Sequence, residues 1–289
     1  MAGRKAGSRV TISGLDEFLE MKLTKAEDVK EVSIKELFDF PNHPFRVVDD
    51  EEMEELAASV KQNGVLNPAL VRKRKGGGYE IISGHRRKRA LELAGKDMMP
   101  VTVLEVSDEE AISYMIDSNI QRENVLPSEK AKAYRMKYDA MKHPGTRRGG
   151  WALKSMEEAE GVNMKTIQRY IALSNLTEAL LAMVDERQLG FIQGVELSYL
   201  TKEEQKLLEK QLSHKKYKVT KEKARMIRNL SKENRLSEET LDELFVDSGR
   251  MKTETIRIRN IRRFFPSEYT DTQIEAELVR ILEEWKSRK

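Results

Sequence analysis

Tyr79-Glu80-Ile81-Ile82-Ser83-Gly84-His85-Arg86-Arg87-Lys88-Arg89-Ala90 is the stretch on which the reading of the chain turns. Apolar residues at 79, 81 and 82 mark a short strand and Ser83-Gly84 a turn. The three arginines and one lysine at 86–89 open a helix. That order builds an anion site. Glycine lets the backbone approach a ligand closely, the first helical turn carries unpaired N–H groups, and the helix dipole favours negative charge there. Arginine adds a bidentate grip on phosphate oxygens. A solvated basic helix end would carry the same letters, so the segment has two readings, a phosphate cradle and a plain surface helix.

Upstream, Val32–Ile34 reads as a strand leading to a loop around Pro41-Asn42-His43-Pro44. Asp49-Asp50 then precedes Met53, Leu56, Ala57 and Val60 at helical spacing, with a stop at Asn63-Gly64. Ala69–Val71 and Tyr79–Ile82 form a hairpin around Gly76-Gly77-Gly78. The Arg-rich helix ends near Gly95, and Pro100–Val106 is again β-rich. Residues 31–106 therefore read as a small α/β domain behind a flexible tail, 1–30.

From Ser107 the pattern turns helical. Ser107-Asp108-Glu109-Glu110 is a capping sequence for a helix through Ser118, and Pro127-Ser128-Glu129 opens one that runs to about Met141. His143–Gly150 reads as a loop. Ser155–Glu160, Gly161-Val162-Asn163 and Met164–Leu173 have helix-turn-helix spacing. Ile167, Tyr170 and Ile171 give the second helix an apolar side. Lys165, Thr166, Gln168 and Arg169, with Asn163 at the turn, give it donors suited to phosphates and base edges. An ordinary helical hairpin is the alternative. The helical domain spans 107–213, with the helix-turn-helix at about 155–173, and 214–289 form a C-terminal region. In it Thr220–Leu241 reads as helical, Thr255–Arg259 alternates like a strand, and a capped helix runs from about Asp271 to Trp285. The apolar stripe of that last helix, Ile274 to Trp285, serves either a small core or a dimer face. The fold class is α+β.

Composition excludes several functions. Of 289 residues 35% are charged and 6% aromatic, and the net charge is +3, too modest to identify a nucleic-acid binder. Basic residues instead gather in patches at Arg72–Lys75, His85–Arg89, Lys142–Arg148, Lys215–Arg228 and Arg250–Arg263. With no cysteine there is no disulfide, thiolate metal site or thiol nucleophile, which fits a reducing cytoplasm. The histidines at 43, 85, 143 and 214 make no ligand-spaced pair. No signal-peptide core and no apolar run near the ~20 residues of a membrane span occurs, so a membrane partner is not expected.

From about Glu31 to Leu212 the chain resembles the ParB family of DNA-partition and nucleoid-occlusion proteins. Asp50–Pro68 is similar to the family's opening helix and loop, and Tyr79–Ala90 to its strand and G-E-R-R-x-R-A box. Ser118-Asn119-Ile120-Gln121-Arg122 with Leu126-Pro127-Ser128-Glu129 is similar to its E-N-x-Q-R…L-x-P-x-E box. The resemblance implies an N-terminal domain that binds CTP and Mg²⁺ and a helix-turn-helix that binds double-stranded, centromere-like DNA, with a clamp that closes on the nucleotide. It implies nucleotide contacts at Arg46, Ser83, Gly84, His85, Arg86, Arg87, Arg89, Asn119, Gln121 and Arg122, with Mg²⁺ at Asn119. It also implies a homodimer on two-fold or repeated DNA sites in the nucleoid or on a plasmid, and a ParA-type ATPase partner. Gly3-Arg4-Lys5 is too short to stand for the peptide that contacts such an ATPase.

Two positions depart from the family. His85 stands in place of the second box's Glu, and Ser118 in place of the acidic residue before Asn119. A hydroxyl neither takes a proton at neutral pH nor holds a hard cation as a carboxylate does. Weaker metal binding and a weak or absent CTPase activity are therefore expected, with Glu123 and Glu129 near enough in sequence to compensate. His85 could meet phosphate as a partly protonated imidazole or sit at the surface. A nucleotide-independent regulator of a mobile element is the second functional reading. A small-molecule kinase on the same fold is the third, and it leaves the helix-turn-helix unexplained.

Overall fold

The computed structural model describes residues 29–122, 124–142, 149–215, 217–246, 262–266, 269–270, 273–274 and 276–281. The tail up to residue 28, Glu123, His143, most of the Lys142–Arg148 and Arg250–Arg263 patches and the expected Thr255–Arg259 strand lie outside them. Packing divides the chain into two units, Met1–Leu236 and Ser237–Lys289.

In the first unit five strands form one mixed sheet: β1 (Lys30–Ser33), β2 (Leu37–Phe38), β3 (Ala69–Lys73), β4 (Tyr79–Ser83) and β5 (Met98–Val103), in the order β1-β5-β3-β4-β2. The expected first strand starts two residues early and gives way at Ile34 to a 3₁₀ turn, whose cap is the Ser33 side chain. β3 and β4 make the expected antiparallel hairpin, with Val71 opposite Ile81 and an irregularity between Leu70 and Val71.

Successive strand residues point to opposite faces, and in β4 both faces are covered. Ile81 is fully buried against α1 (Glu51–Asn63) and α2 (His85–Leu93), in a core with Met53, Val60, Val71, Leu91 and Met99. Its neighbour Ile82, also fully buried, belongs to a second core with Met115, Ile116, Tyr134, Met156 and Ile167. Each buried side chain contributes roughly 1.5–3 kcal/mol relative to exposure. The second core joins the sheet to α3 (Asp108–Ile120), α4 (Pro127–Met141), α5 (Gly149–Glu160) and α6 (Met164–Leu173). The sheet and the helix-turn-helix therefore share one hydrophobic interior.

Caps fix the helix starts. Asp50 accepts the Met53 N–H at 2.9 Å, and Ser107 and Glu110 form a capping box. Lys137 on α4 is buried with Asp117 of α3 and with Glu160 of α5, the latter at 2.8 Å, which locks three helices around one cation. Helices α7 (Glu178–Asp185), α8 (Phe191–Leu197), α9 (Lys202–Lys215) and α10 (Lys221–Lys232) follow within the same unit. Among the described residues no helix is long and apolar enough to cross a membrane.

The second unit contains α11 (Glu238–Val246), a 3₁₀ turn at Arg262–Phe264 and helical residues 273–274 and 276–281. Ile274, from the expected terminal stripe, is fully buried. Leu282 and Trp285 lie outside the described residues.

Candidate nucleotide cleft and nucleic-acid interface

β4 delivers the chain to Gly84, whose φ of +125° is a conformation that L side chains rarely adopt. A Cβ at this position would also lie 2.8 Å from that of Ala69 on β3. Gly84 is the N-cap of α2 and supplies no side-chain cap, so the first N–H groups of that helix depend on other partners. The glycine turn and the basic helix start thus occur as the sequence suggested.

From the first turn of the helix Arg86 reaches a cleft of about 700 Å³. One wall is the 45–52 segment, with Phe45, Arg46, Val48, Asp50 and Glu52; another is Arg86 on α2. The third is the turn between α3 and α4, with Arg122, Val125, Leu126 and Glu129. A smaller pocket of about 60 Å³ shares Arg46, Arg86 and Arg122 with the cleft and adds Ser83, Gly84 and Asn119. Boxes distant in sequence therefore meet at one place. Arg86 leans on Asp50 (3.8 Å) and Glu52 (3.4 Å), two residues that the sequence did not mark as lining a site. Burial depresses the pKa of Arg122, and the nearby Arg86 guanidinium depresses it further. Arg87 is depressed in the same way, by burial and then by Arg122. Cations crowded enough to oppose each other's charge favour an anion between them.

The arginines of the box divide their work. Arg87 donates to the Asn67 and Pro68 carbonyls at 2.5 and 2.8 Å and so pins the loop before β3. Arg89 is turned to Asp49, in a bidentate pair at 3.0 and 2.6 Å, and to Glu92 at 3.0 Å; Asp49 holds its pKa up and has its own lowered in return. Arg46 donates its backbone N–H to Glu129 and extends its half-exposed side chain towards Asp185 at 3.7 Å. Gln121 is exposed at the C-cap of α3, away from both linings.

His85 differs from expectation. The residue is 8% exposed, its ring lies against that of His43 with centroids 3.9 Å apart and planes tilted by 40°, and its Nε2 accepts the Phe40 N–H at 3.5 Å. Burial, then His43, brings its pKa down to about 3, and its Nε2 lone pair is already engaged by the Phe40 N–H, so in the free protein it is a neutral imidazole whose Nε2 is not open to a phosphate. No signal of sequence spacing could have paired it with His43, which is 42 positions away.

The third box likewise offers less to a metal than expected. Asn119 is buried, and its Nδ2 donates to the Met115 carbonyl (2.6 Å) and to Ser118 Oγ (3.0 Å). The Ser118 hydroxyl donates to the Met115 carbonyl at 3.1 Å. Glu129 is engaged elsewhere: its Oε1 accepts the Arg46 N–H at 2.8 Å and its Oε2 the Leu126 N–H at 3.0 Å, which makes it a cap and a tether. Among the described residues no group of three or more His, Asp or Glu could hold a metal ion. Mg²⁺ prefers carboxylate and phosphate oxygens, so the donors around Asn119 do not fit a cation held by the protein alone.

The second candidate surface is α6. Gly161, at φ +65°, makes the turn. Asn163 is the N-cap, accepting the Lys165 N–H at 2.9 Å, and Glu157 accepts the Met164 N–H at 2.9 Å. Ile167 and Leu173 are fully buried, whereas Lys165, Gln168 and Arg169 are exposed and Thr166 is half-buried. One apolar and one donor-bearing face is the division a recognition helix requires.

Comparison with known proteins agrees with this architecture. Residues 19–120 match the ParB N-terminal domain. The chain is 32% identical over 171 residues to the nucleoid occlusion protein of Halalkalibacterium halodurans, covering 59% of this chain and 57% of that protein. It is 35% identical over 158 residues to the probable chromosome 1-partitioning protein ParB of Deinococcus radiodurans, covering 55% and 51%. The chain thus spans about half the length of the curated relatives it matches. A crystal structure of the truncated ParB from Caulobacter crescentus complexed to the centromeric parS site covers 71% of this chain and 99% of that one, at 21% identity and a TM-score of 0.42, a likeness too low to inform the site. Residues 19–120 thus match the ParB N-terminal domain, and over 55–59% of its length the chain is similar to ParB and nucleoid occlusion proteins.

Proposed function

We propose that the cleft binds a nucleoside triphosphate, CTP by family resemblance, and that the chain is a nucleotide-gated DNA-binding protein of the chromosome-partition or nucleoid-occlusion kind. The observation that carries the reading is the convergence of Arg46, Arg86 and Arg122 on a cleft of about 700 Å³ and on the smaller pocket that shares them and contains Ser83 and Gly84 at the uncapped start of α2. Backbone N–H groups and the helix dipole receive the phosphates there, and the guanidiniums neutralise them. Any Mg²⁺ would arrive with the phosphates and be held by them rather than by a carboxylate beside Asn119. With no acidic side chain at position 118 to take a proton from water, turnover is slow or absent. Lys165, Thr166, Gln168 and Arg169 on α6 contact DNA, and the core shared by Ile82 and Ile167 gives occupancy of the cleft a physical route to that helix.

A homodimer reads paired half-sites, and a ParA-type ATPase is the partner class that the relationship suggests. The test is retention of the protein on closed circular DNA carrying its site, with and without CTP. Salt-resistant retention that needs CTP supports gating. Tight site-specific binding indifferent to CTP favours a nucleotide-independent regulator.

A further inference from the structure

Beneath the arginines lies a pair of rings that the family boxes do not explain. The His43 Nδ1 is 2.7 Å from the Phe45 carbonyl oxygen. A carbonyl only accepts, so Nδ1 carries the hydrogen and Nε2 is the lone-pair nitrogen of the neutral ring. That Nε2 is buried and has no hydrogen-bond partner among the described residues. His43 lines the small pocket that contains Ser83, Gly84, Arg87 and Asn119. A buried acceptor left unmatched is costly, and its position beside a cationic pocket gives that cost a use.

We propose that His43 is a ligand-binding residue of the pocket that takes up one proton when the polyphosphate end of the nucleotide enters. This rests on the nucleotide reading given above. A phosphoryl oxygen facing a lone pair on Nε2 is repelled. Once Nε2 gains a proton from the solvent buffer it becomes a donor and makes a charge-assisted hydrogen bond; an N–H bond forms on the ring and no other bond changes. In the free protein burial dominates and lowers the pKa of His43; the Phe45 carbonyl, Asp39 and Glu129 favour the charged ring, Arg122 opposes it, and Arg46, Arg86 and Arg87 around the same pocket add positive charge that only an anion offsets. The stacked His85, which Lys88 also helps to keep neutral, adds no competing charge. The arriving phosphate charge reverses this balance, so the pKa is below its ordinary value when free and raised when bound. Between those two values binding takes up a proton, and affinity falls as pH rises.

The test is calorimetric titration of CTP into the full chain in two buffers of different ionisation enthalpy, from about pH 7 to 8.5, above the phosphate's own pKa of about 6. The expected result is an observed enthalpy that tracks the buffer and an affinity that falls by up to roughly tenfold per pH unit. The variant His43→Asn keeps a donor for the Phe45 carbonyl and lacks the titrating nitrogen; both dependences vanish in it. The ¹⁵N resonances of the His43 ring read the same step in the unaltered chain, Nε2 changing from acceptor to N–H. Equal enthalpies in both buffers with tight CTP binding would overturn the inference and leave the nucleotide reading standing. If CTP does not bind, tripolyphosphate decides by difference: more protons taken up (or fewer released) by the unaltered chain than by His43→Asn upholds the role of His43, and equal proton exchange in the two removes it.

Discussion

The backbone N–H of Arg46 donates to the carboxylate of Glu129 at 2.8 Å, across 83 residues of sequence. The other oxygen of the same carboxylate caps α4 through the Leu126 N–H. One buried side chain thus fixes the distance between two walls of the cleft. Replacing Glu129 with Ala leaves both N–H groups without their acceptor and is expected to cost about 2–4 kcal/mol. Glu129→Gln, which keeps one acceptor oxygen, costs about half as much. Urea denaturation with an unchanged m-value checks both.

Gly84→Ala strains a positive φ and drives a methyl into Ala69. A loss of about 2 kcal/mol or more in stability is expected, together with distortion of the helix start. Thermal melting with far-UV dichroism reads the first, and CTP affinity reads the second.

The divided labour of the arginines makes a sharper comparison. Arg86→Ala and Arg122→Ala each remove a charged donor from the cleft and should weaken CTP binding roughly ten- to a hundredfold. Arg89→Ala breaks only its outward pairs with Asp49 and Glu92, and should change CTP affinity by less than about threefold. Fluorescence titration with a labelled CTP distinguishes the two classes.

Acid should destabilise the first unit in a definite window. His85 is held near 3 in the folded protein and His43 is lowered too, against about 6.5 unfolded. Below pH 6.5 the unfolded chain therefore binds more protons, and stability falls as pH falls. For His85 the loss is on the order of 3–5 kcal/mol, spread between about pH 6.5 and 3. His85→Gln retains an acceptor for the Phe40 N–H and should flatten the profile, as measured by denaturation midpoints against pH.

On α6, Lys165, Gln168 and Arg169 replaced together by Ala should abolish specific DNA binding without loss of stability, since all three are exposed. Ile167→Ala should cost about 2–5 kcal/mol instead, because its side chain is fully buried in the shared core. Mobility shift and melting curves separate the two effects.

The strand, the glycine turn and the basic helix at Tyr79–Ala90 were legible because each leaves a local mark: alternation, a residue free to take positive φ, and clustered charge. The capping boxes at Ser107 and Glu129 and the two helices around Gly161 were legible for the same reason. The direction of each arginine was not. Whether Arg87 meets the Asn67 carbonyl or Arg89 meets Asp49 depends on which loops the sheet brings near, and the order β1-β5-β3-β4-β2 leaves no trace in spacing. His85 shows this most plainly. Its place in a basic box suggested a charged ligand, and the ring of His43 and the Phe40 N–H, both from the loop after β2, make it a buried neutral base.

Direct titration of CTP into the full chain, with ATP and GTP as comparisons and Arg86→Ala as control, tests the central claim. Saturable binding of CTP is expected, strongly weakened by Arg86→Ala and displaced by tripolyphosphate. No saturable binding of any nucleotide, with or without DNA carrying the site, would contradict it.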